Sequence, residues 1–340
     1  MADSDSLTLK AHCHCKSTHL TLSTPRSALP LPIAICHCTY CRTSHGTLAS
    51  FRTLLPAGIK PVLDAAKLRT YVPVNGHLGK KVKKYFCGGC GCPVGEEELE
   101  GEGRWSVCTA IFEKDKVEDG VRVWEFRTHV APGAVKMGGL FRLLPPSIDG
   151  VKLEIEDTLD PDAASLEAQA EPDGSMRVSC HCTGVSFIFT RPNSTALSDP
   201  IAKRYVSPSD SRKWVCGLDH CSDCRLITGA NVTAWSFTLV EGISPRPEGE
   251  ELRVGSSRMY ASSDGVKRTF CYGCGATVFF WRETRGMVVD VPVGLMKGEV
   301  MVEEWVTWVP KMVYVDDGKA FDPGFVEALE RGYERWLEEK

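Results

Sequence analysis

The stretch "AICHCTYCRTSHG", Ala34–Gly46, places Cys36, Cys38 and Cys41 within six residues. Three thiols this close form a disulfide knot, a redox pair or a metal site, and the rest of the chain must decide. The same order of cysteines occurs twice. The first half has Cys13 and Cys15 in "AHCHC", then this cluster, then Cys87 and Cys90 in "KYFCGGCG". The second half has Cys180 and Cys182 in "VSCHC", then Cys216, Cys221 and Cys224 in "WVCGLDHCSDCR", then Cys271 and Cys274 in "RTFCYGCG". Cys41 precedes Cys87 by 46 residues and Cys224 precedes Cys271 by 47. Arg42 and Arg225 follow the third cysteine of their clusters, and Gly46 and Gly229 lie five residues after it. Fourteen of the sixteen cysteines obey the pattern, which implies an internal duplication. Cys92 and Cys108 do not, and read as small buried hydrophobes.

A chain of 340 residues is long enough for two domains, and 43% apolar with 25% charged residues is an ordinary globular balance. The net charge of -4 lacks the footprint of a nucleic-acid binder. No apolar leader follows the N-terminus and no apolar run approaches the ~20 residues of a membrane helix, so a soluble, cytoplasmic protein is expected. In a reducing compartment the cysteines point to metal or catalysis rather than to disulfides.

The coarse pattern is mainly β. "VSFIFT", "ATVFFW", "GMVVDVPV" and "RVWEFRTHV" are short β-branched or aromatic runs bounded by turn residues. An acidic segment, residues 146–174, reads as a linker that opens with a strand, "VKLEI", with the boundary near residue 170. It separates a first domain, 8–145, from a second, 175–320. Residues 321–340 predict an amphipathic helix with Asp322 as N-cap, Pro323 at its first position, and Phe325, Leu329, Tyr333 and Trp336 on one packing face.

Thiolates suit tetrahedral Zn²⁺, and CxC and CxxC turns each aim two sulfurs at one point. Gly91 and Gly275 after the CxxC pairs tolerate positive φ there. Two closed four-cysteine sets are therefore expected: Cys13, Cys15, Cys87, Cys90, and Cys180, Cys182, Cys271, Cys274. Cys36, Cys38 and Cys41 number three. Three protein ligands and an exchangeable position make a catalytic zinc site, so an open, substrate-facing metal is expected in the first half. The competing reading closes that site with His45, or less favourably His37. In the second half strict spacing puts Asp219 where a first ligand belongs. Cys216, five residues before Cys221, is preferred as the softer donor. The irregular spacing puts the second half's activity in more doubt than the first's. Up to two zinc ions per domain follow.

These motifs, "CHC" at Cys13 and Cys180, "CHCTYCR" at Cys36, and "CGGCG" and "CYGCG" at Cys87 and Cys271, resemble the glutathione-dependent formaldehyde-activating enzyme / centromere protein V family over residues 10–140 and 175–315. The resemblance implies two tandem zinc-binding β-tent (Mss4-like) domains of antiparallel sheets, with one ion held by the CxC and CxxC pairs and one by the triad. It also implies carbon–sulfur lyase chemistry, the condensation of a glutathione-like thiol with formaldehyde or a related aldehyde. Cys36, Cys38 and Cys41 would be the catalytic ligands, with Arg42 and Arg225 as candidate carboxylate or oxyanion partners. The rival is a non-catalytic interaction or chromatin module, for which "GKKVKK" at Gly79–Lys84 is the one basic run. Those lysines read more simply as a guarded strand edge.

Overall fold

The computed structural model describes residues 5–113, 120–135, 139–163, 175–296 and 299–340. The first repeat has β1 (Ser6–His12), β2 (Thr18–Pro25), β3 (Leu31–Cys36), β4 (Ser50–Leu54), β5 (Val62–Ala65), β6 (Leu68–Tyr71), β7 (Val82–Cys87), β8 (Pro93–Glu98), β9 (Trp105–Cys108) and β10 (Trp124–Val130). Its acidic tail adds β11 (Ser147–Ile148), β12 (Val151–Lys152) and β13 (Glu154–Glu156). The second repeat has β14 (Met176–Ser179), β15 (Ser186–Phe189), β16 (Trp214–Asp219), β17 (Thr233–Leu239), β18 (Ile243–Ser244), β19 (Ser257–Ser263), β20 (Val266–Cys271), β21 (Thr277–Arg282), β22 (Val288–Pro292) and β23 (Val306–Trp308). Period-two patterning builds these strands: along β2 every other residue is buried.

Each repeat holds one three-stranded and one large sheet. The order β6-β7-β8-β9-β4-β3-β10 in the first recurs as β19-β20-β21-β22-β17-β16-β23 in the second, and β13 extends only the first. Most pairings are antiparallel, as expected. The exceptions are β3 with β10, β10 with β13, and β16 with β23, which run parallel. The two repeats therefore share one topology, and the duplication read from the cysteines is structural.

The repeats pack on each other reciprocally. The N–H of His14 donates to the Leu226 carbonyl, and the N–H of His181 to that of Thr43. Gly91 and Gly275 both have φ above +80°, and each backs onto a phenylalanine of the opposite repeat. A Cβ on Gly91 would stand 2.6 Å from Phe270, and one on Gly275 2.7 Å from Phe86. The hydrophobic core runs continuously through both halves.

The C-terminal helix, Pro323–Glu338, forms as its sequence predicts. Asp322 caps it, accepting the Phe325 N–H at 3.0 Å, with Pro323 at its first position. Phe325, Leu329, Tyr333 and Trp336 are buried. Phe325 meets Phe51 and Phe126 of the first repeat, while Tyr333 and Trp336 meet Trp308 of the second. The helix is thus a clasp across both halves.

The start of the acidic segment is less of a tether than its composition suggests. The Val151–Lys152 and Glu154–Glu156 strands overlap the predicted "VKLEI", the second running one residue beyond it. Asp160 then accepts the Thr39 N–H at 2.7 Å, and Asp162 meets His181 at 3.0 Å. Residues 164–174, with the predicted boundary near 170, lie outside the described residues.

Candidate metal centres

All sixteen cysteines are free thiols, and thirteen of them are buried. Among the described residues four groups of donors converge, each with its atoms within 4.8 Å of one another. Two are the expected four-cysteine sets, Cys13, Cys15, Cys87, Cys90 and Cys180, Cys182, Cys271, Cys274. Cys15 Sγ lies 3.5 Å from those of Cys13 and Cys87, and Cys182 Sγ lies 3.6 Å from that of Cys180 and 3.5 Å from that of Cys271. A tetrahedral ion with Zn–S near 2.3 Å requires an edge of about 3.8 Å, so the donor type and spacing fit zinc. The Gly89 N–H points to Cys87 Sγ at 3.3 Å, as the glycine-rich turn allows.

The third group departs from the sequence expectation. Cys36, Cys38 and Cys41 are wholly buried, and His77 joins them. Its Nε2 lies 3.5 Å from Cys36 Sγ and 3.4 Å from Cys41 Sγ. Cys36 ends β3, while Cys38 caps the short helix Thr39–His45, its Sγ accepting the Cys41 N–H. The corner expected to be vacant therefore faces a histidine, and neither His37 nor His45 supplies it. His37 turns away to pair with His129 Nδ1 at 2.9 Å.

His77 is supported from behind. Its Nδ1 stands 3.1 Å from Glu96 Oε2, the pairing that orients metal-binding imidazoles. Glu96 also meets Arg52 Nη1 at 2.5 Å and accepts the Tyr40 hydroxyl at 2.6 Å. Burial works against ionisation of Glu96, but Arg52 and His77 outweigh it and hold the carboxyl well below its usual range. Burial and Arg52 push His77 down, whereas Cys41 and Glu96 push it up, to about 9. The site is an enclosed ionic cluster.

The fourth group is Asp219, Cys221 and Cys224. Cys216, the preferred sequence candidate, is not among them, and the register explains why. Cys36 pairs with Ser50 across β3–β4, and Asp219 pairs with Thr233 across β16–β17, so Asp219 takes the place of Cys36. Cys216 lies three residues back along the same strand and is completely buried. Asp219 Oδ1 accepts the Cys221 N–H at 2.7 Å, and Cys221 Sγ accepts the Cys224 N–H as Cys38 does for Cys41.

This group faces a cavity of about 250 Å³ lined also by Asp223, Trp235, Arg268, Phe280 and Asp290. The opening has a sequence cause. In the first repeat ten residues separate β6 from β7 and carry His77, whereas Asp264 and Gly265 alone separate β19 from β20. The positions of Arg52 and Glu96 are held by Trp235 and Phe280, so neutral walls replace the ionic support. Arg268 Nη1 points at Cys224 Sγ from 3.7 Å. Burial lifts Asp290 to about 7 against the pull of Arg285, 2.8 Å away. That is the range of a general base working at neutral pH.

Sequence reading missed His77, Arg268 and Asp290. A lone aspartate inside "GMVVDVPV" was the available signal for the last. Arg42 and Arg225 do not line the cavity. Arg42 is buried, and Arg225 lies over the Phe321 ring at 3.9 Å and donates to the Ala110 carbonyl. Of the "GKKVKK" lysines, Lys80, Lys81 and Lys83 pair with Glu98, Glu100 and Glu97, and Lys84 is buried on the Ser44 carbonyl.

The sequence model of the family described as glutathione-dependent formaldehyde-activating enzyme matches residues 8–127 and again 205–311. The chain belongs to that family. The two matches, one per repeat, agree with a tandem duplicated family domain and with mainly β architecture around cysteine clusters able to hold metal. No curated protein matches the chain. No described helix is long and apolar enough to cross a membrane.

Proposed function

We propose that the protein is a zinc-dependent carbon–sulfur lyase acting on thiol–aldehyde adducts, and that its reaction takes place in the second repeat. The supporting observation is the cavity over Asp219, Cys221 and Cys224, set against the enclosed Cys36, Cys38, Cys41 and His77 group. Metal bound by the second group would offer a thiol substrate a position at which it ionises.

The chain's own residues supply the rest. Asp290 takes the proton from an entering glutathione-like thiol. The thiolate sulfur attacks the aldehyde carbon, the carbon–oxygen π bond opens, and Asp290 returns the proton to the new alkoxide. The product is the hydroxymethyl thioether, and the reverse sequence releases aldehyde. Arg268 steadies the negative charge on sulfur and on a substrate carboxylate. Trp235 and Phe280 wall the reacting atoms from water. The first triad is then a structural clamp of the Cys₃His type, and the two four-cysteine sets clamp the sheets.

Adduct formation from formaldehyde and glutathione, followed by NMR, tests this reading. Asp290→Asn should lower the rate at least 100-fold with metal content unchanged, and an unaltered rate would remove Asp290 from the reaction.

A further inference from the structure

A second cavity, of about 750 Å³, opens at the junction of the repeats and has no part in the proposed reaction. Tyr272, inside the "CYGC" turn, lines it. Arg69 from the first repeat and Arg258 from the second each lie 3.7 Å from the centre of the Tyr272 ring. Two guanidinium carbons that close to one ring must occupy opposite faces, so they stand roughly twice that distance apart. Arg69 Nε donates to the Tyr272 carbonyl at 3.1 Å, which fixes its fork across the boundary between repeats. Neither Arg69 nor Arg258 has a carboxylate partner among the described residues. Arg253 also lines the cavity, and its pairing with Glu251 at 2.9 Å cancels the one acid there.

Stacking on tyrosine uses the flat faces of the guanidiniums and does not consume their N–H edges, of which Arg69 spends only Nε on the Tyr272 carbonyl. Stacking alone would therefore leave two like charges at close range around a polar cavity. Forked N–H edges around a concave surface recognise carboxylate or phosphate oxygens. The spacing, about the length of a short two-headed anion, suits a ligand with a negative group at each end.

We propose that the cavity bordered by Arg69, Arg258 and the edge of the Tyr272 ring binds a small two-headed anion of the phosphate or dicarboxylate class. Because one arginine comes from each repeat, occupancy ties the halves together. Thermal stability should therefore rise with ligand concentration.

Calorimetric titration of the full chain with pyrophosphate and, separately, with succinate tests the assignment, and the tighter of the two identifies the class. One equivalent should bind at low salt, and Arg258→Gln and Arg69→Gln should each weaken binding at least tenfold while metal content stays constant. Arg258 is exposed, so its replacement leaves the fold intact, and Arg258→Glu should abolish binding. Failure of both probes to bind, or binding by Arg258→Gln equal to that of the unsubstituted chain, would overturn the proposal whatever becomes of the reaction in the second repeat.

Discussion

His77 Nε2 sits 3.4 Å from Cys41 Sγ, and the matching cysteine of the second repeat, Cys224, faces Arg268 and a cavity instead. One extra loop separates the two cases. Replacing His77 by alanine should therefore convert the first site toward the second. We expect the chain to lose one metal equivalent, or to hold it 10–100-fold more weakly, in a competition titration with a chelator. Adduct formation should persist, since the cavity of the second repeat is untouched.

Glu96 acts on that site through His77 and Arg52. Glu96→Gln keeps the shape and removes the charge, so the half-buried Arg52 loses its carboxylate partner. A loss of about 3–5 kcal/mol of stability is expected, as for other broken buried pairs, and denaturant unfolding would measure it. The folded-state value of Glu96 is depressed, so its contribution is present above the ordinary carboxylate range. It disappears as pH falls below that range.

Asp290 has the opposite sign. Its folded value is raised to about 7, so between about 4 and 7 the folded state binds the proton and the unfolded state does not. Its contribution to stability falls as pH rises through that window. The reaction shows the converse, because only the ionised carboxylate accepts a proton. The rate of adduct formation should rise through about pH 7 and level off above it, and Asp290→Asn should remove that inflection.

The contact between Gly275 and Phe86 tests the reciprocal interface. Gly275→Ala would force a side chain into a left-handed backbone conformation and place its Cβ 2.7 Å from the ring. The two penalties together should cost about 2–4 kcal/mol, visible as a lowered melting temperature. A similar loss for Gly91→Ala would show that the interface is symmetric in energy as well as in shape.

The repeat, the mainly β character and the capped terminal helix were legible because each depends on local rules: cysteine spacing, alternation, and Asp322 before Pro323. The two four-cysteine sets were legible because both arms of each are short turns. The triads were not. His77 comes from a loop 36 residues beyond Cys41 and belongs to no motif. The preference for Cys216 weighed donor softness, but strand register decided the matter: three residues along β16 carry a side chain away from the point where Asp219 stands. Arg268 and Asp290 reach the cavity from β20 and β22, on either side of β21, and come together only after the sheet has formed. Arg42 and Arg225 stand next to a ligand in sequence, but a short helix turns that position away from the metal group.

The proposed reaction requires the second triad, not the first, to be the reactive one. The direct measurement is the rate of formaldehyde–glutathione adduct formation by Cys224→Ser and His77→Ala proteins, each checked for melting temperature and metal content. We predict that Cys224→Ser loses the rate more than 100-fold while His77→Ala keeps it within about threefold. A Cys224→Ser protein that turns over like the unsubstituted chain would contradict the assignment.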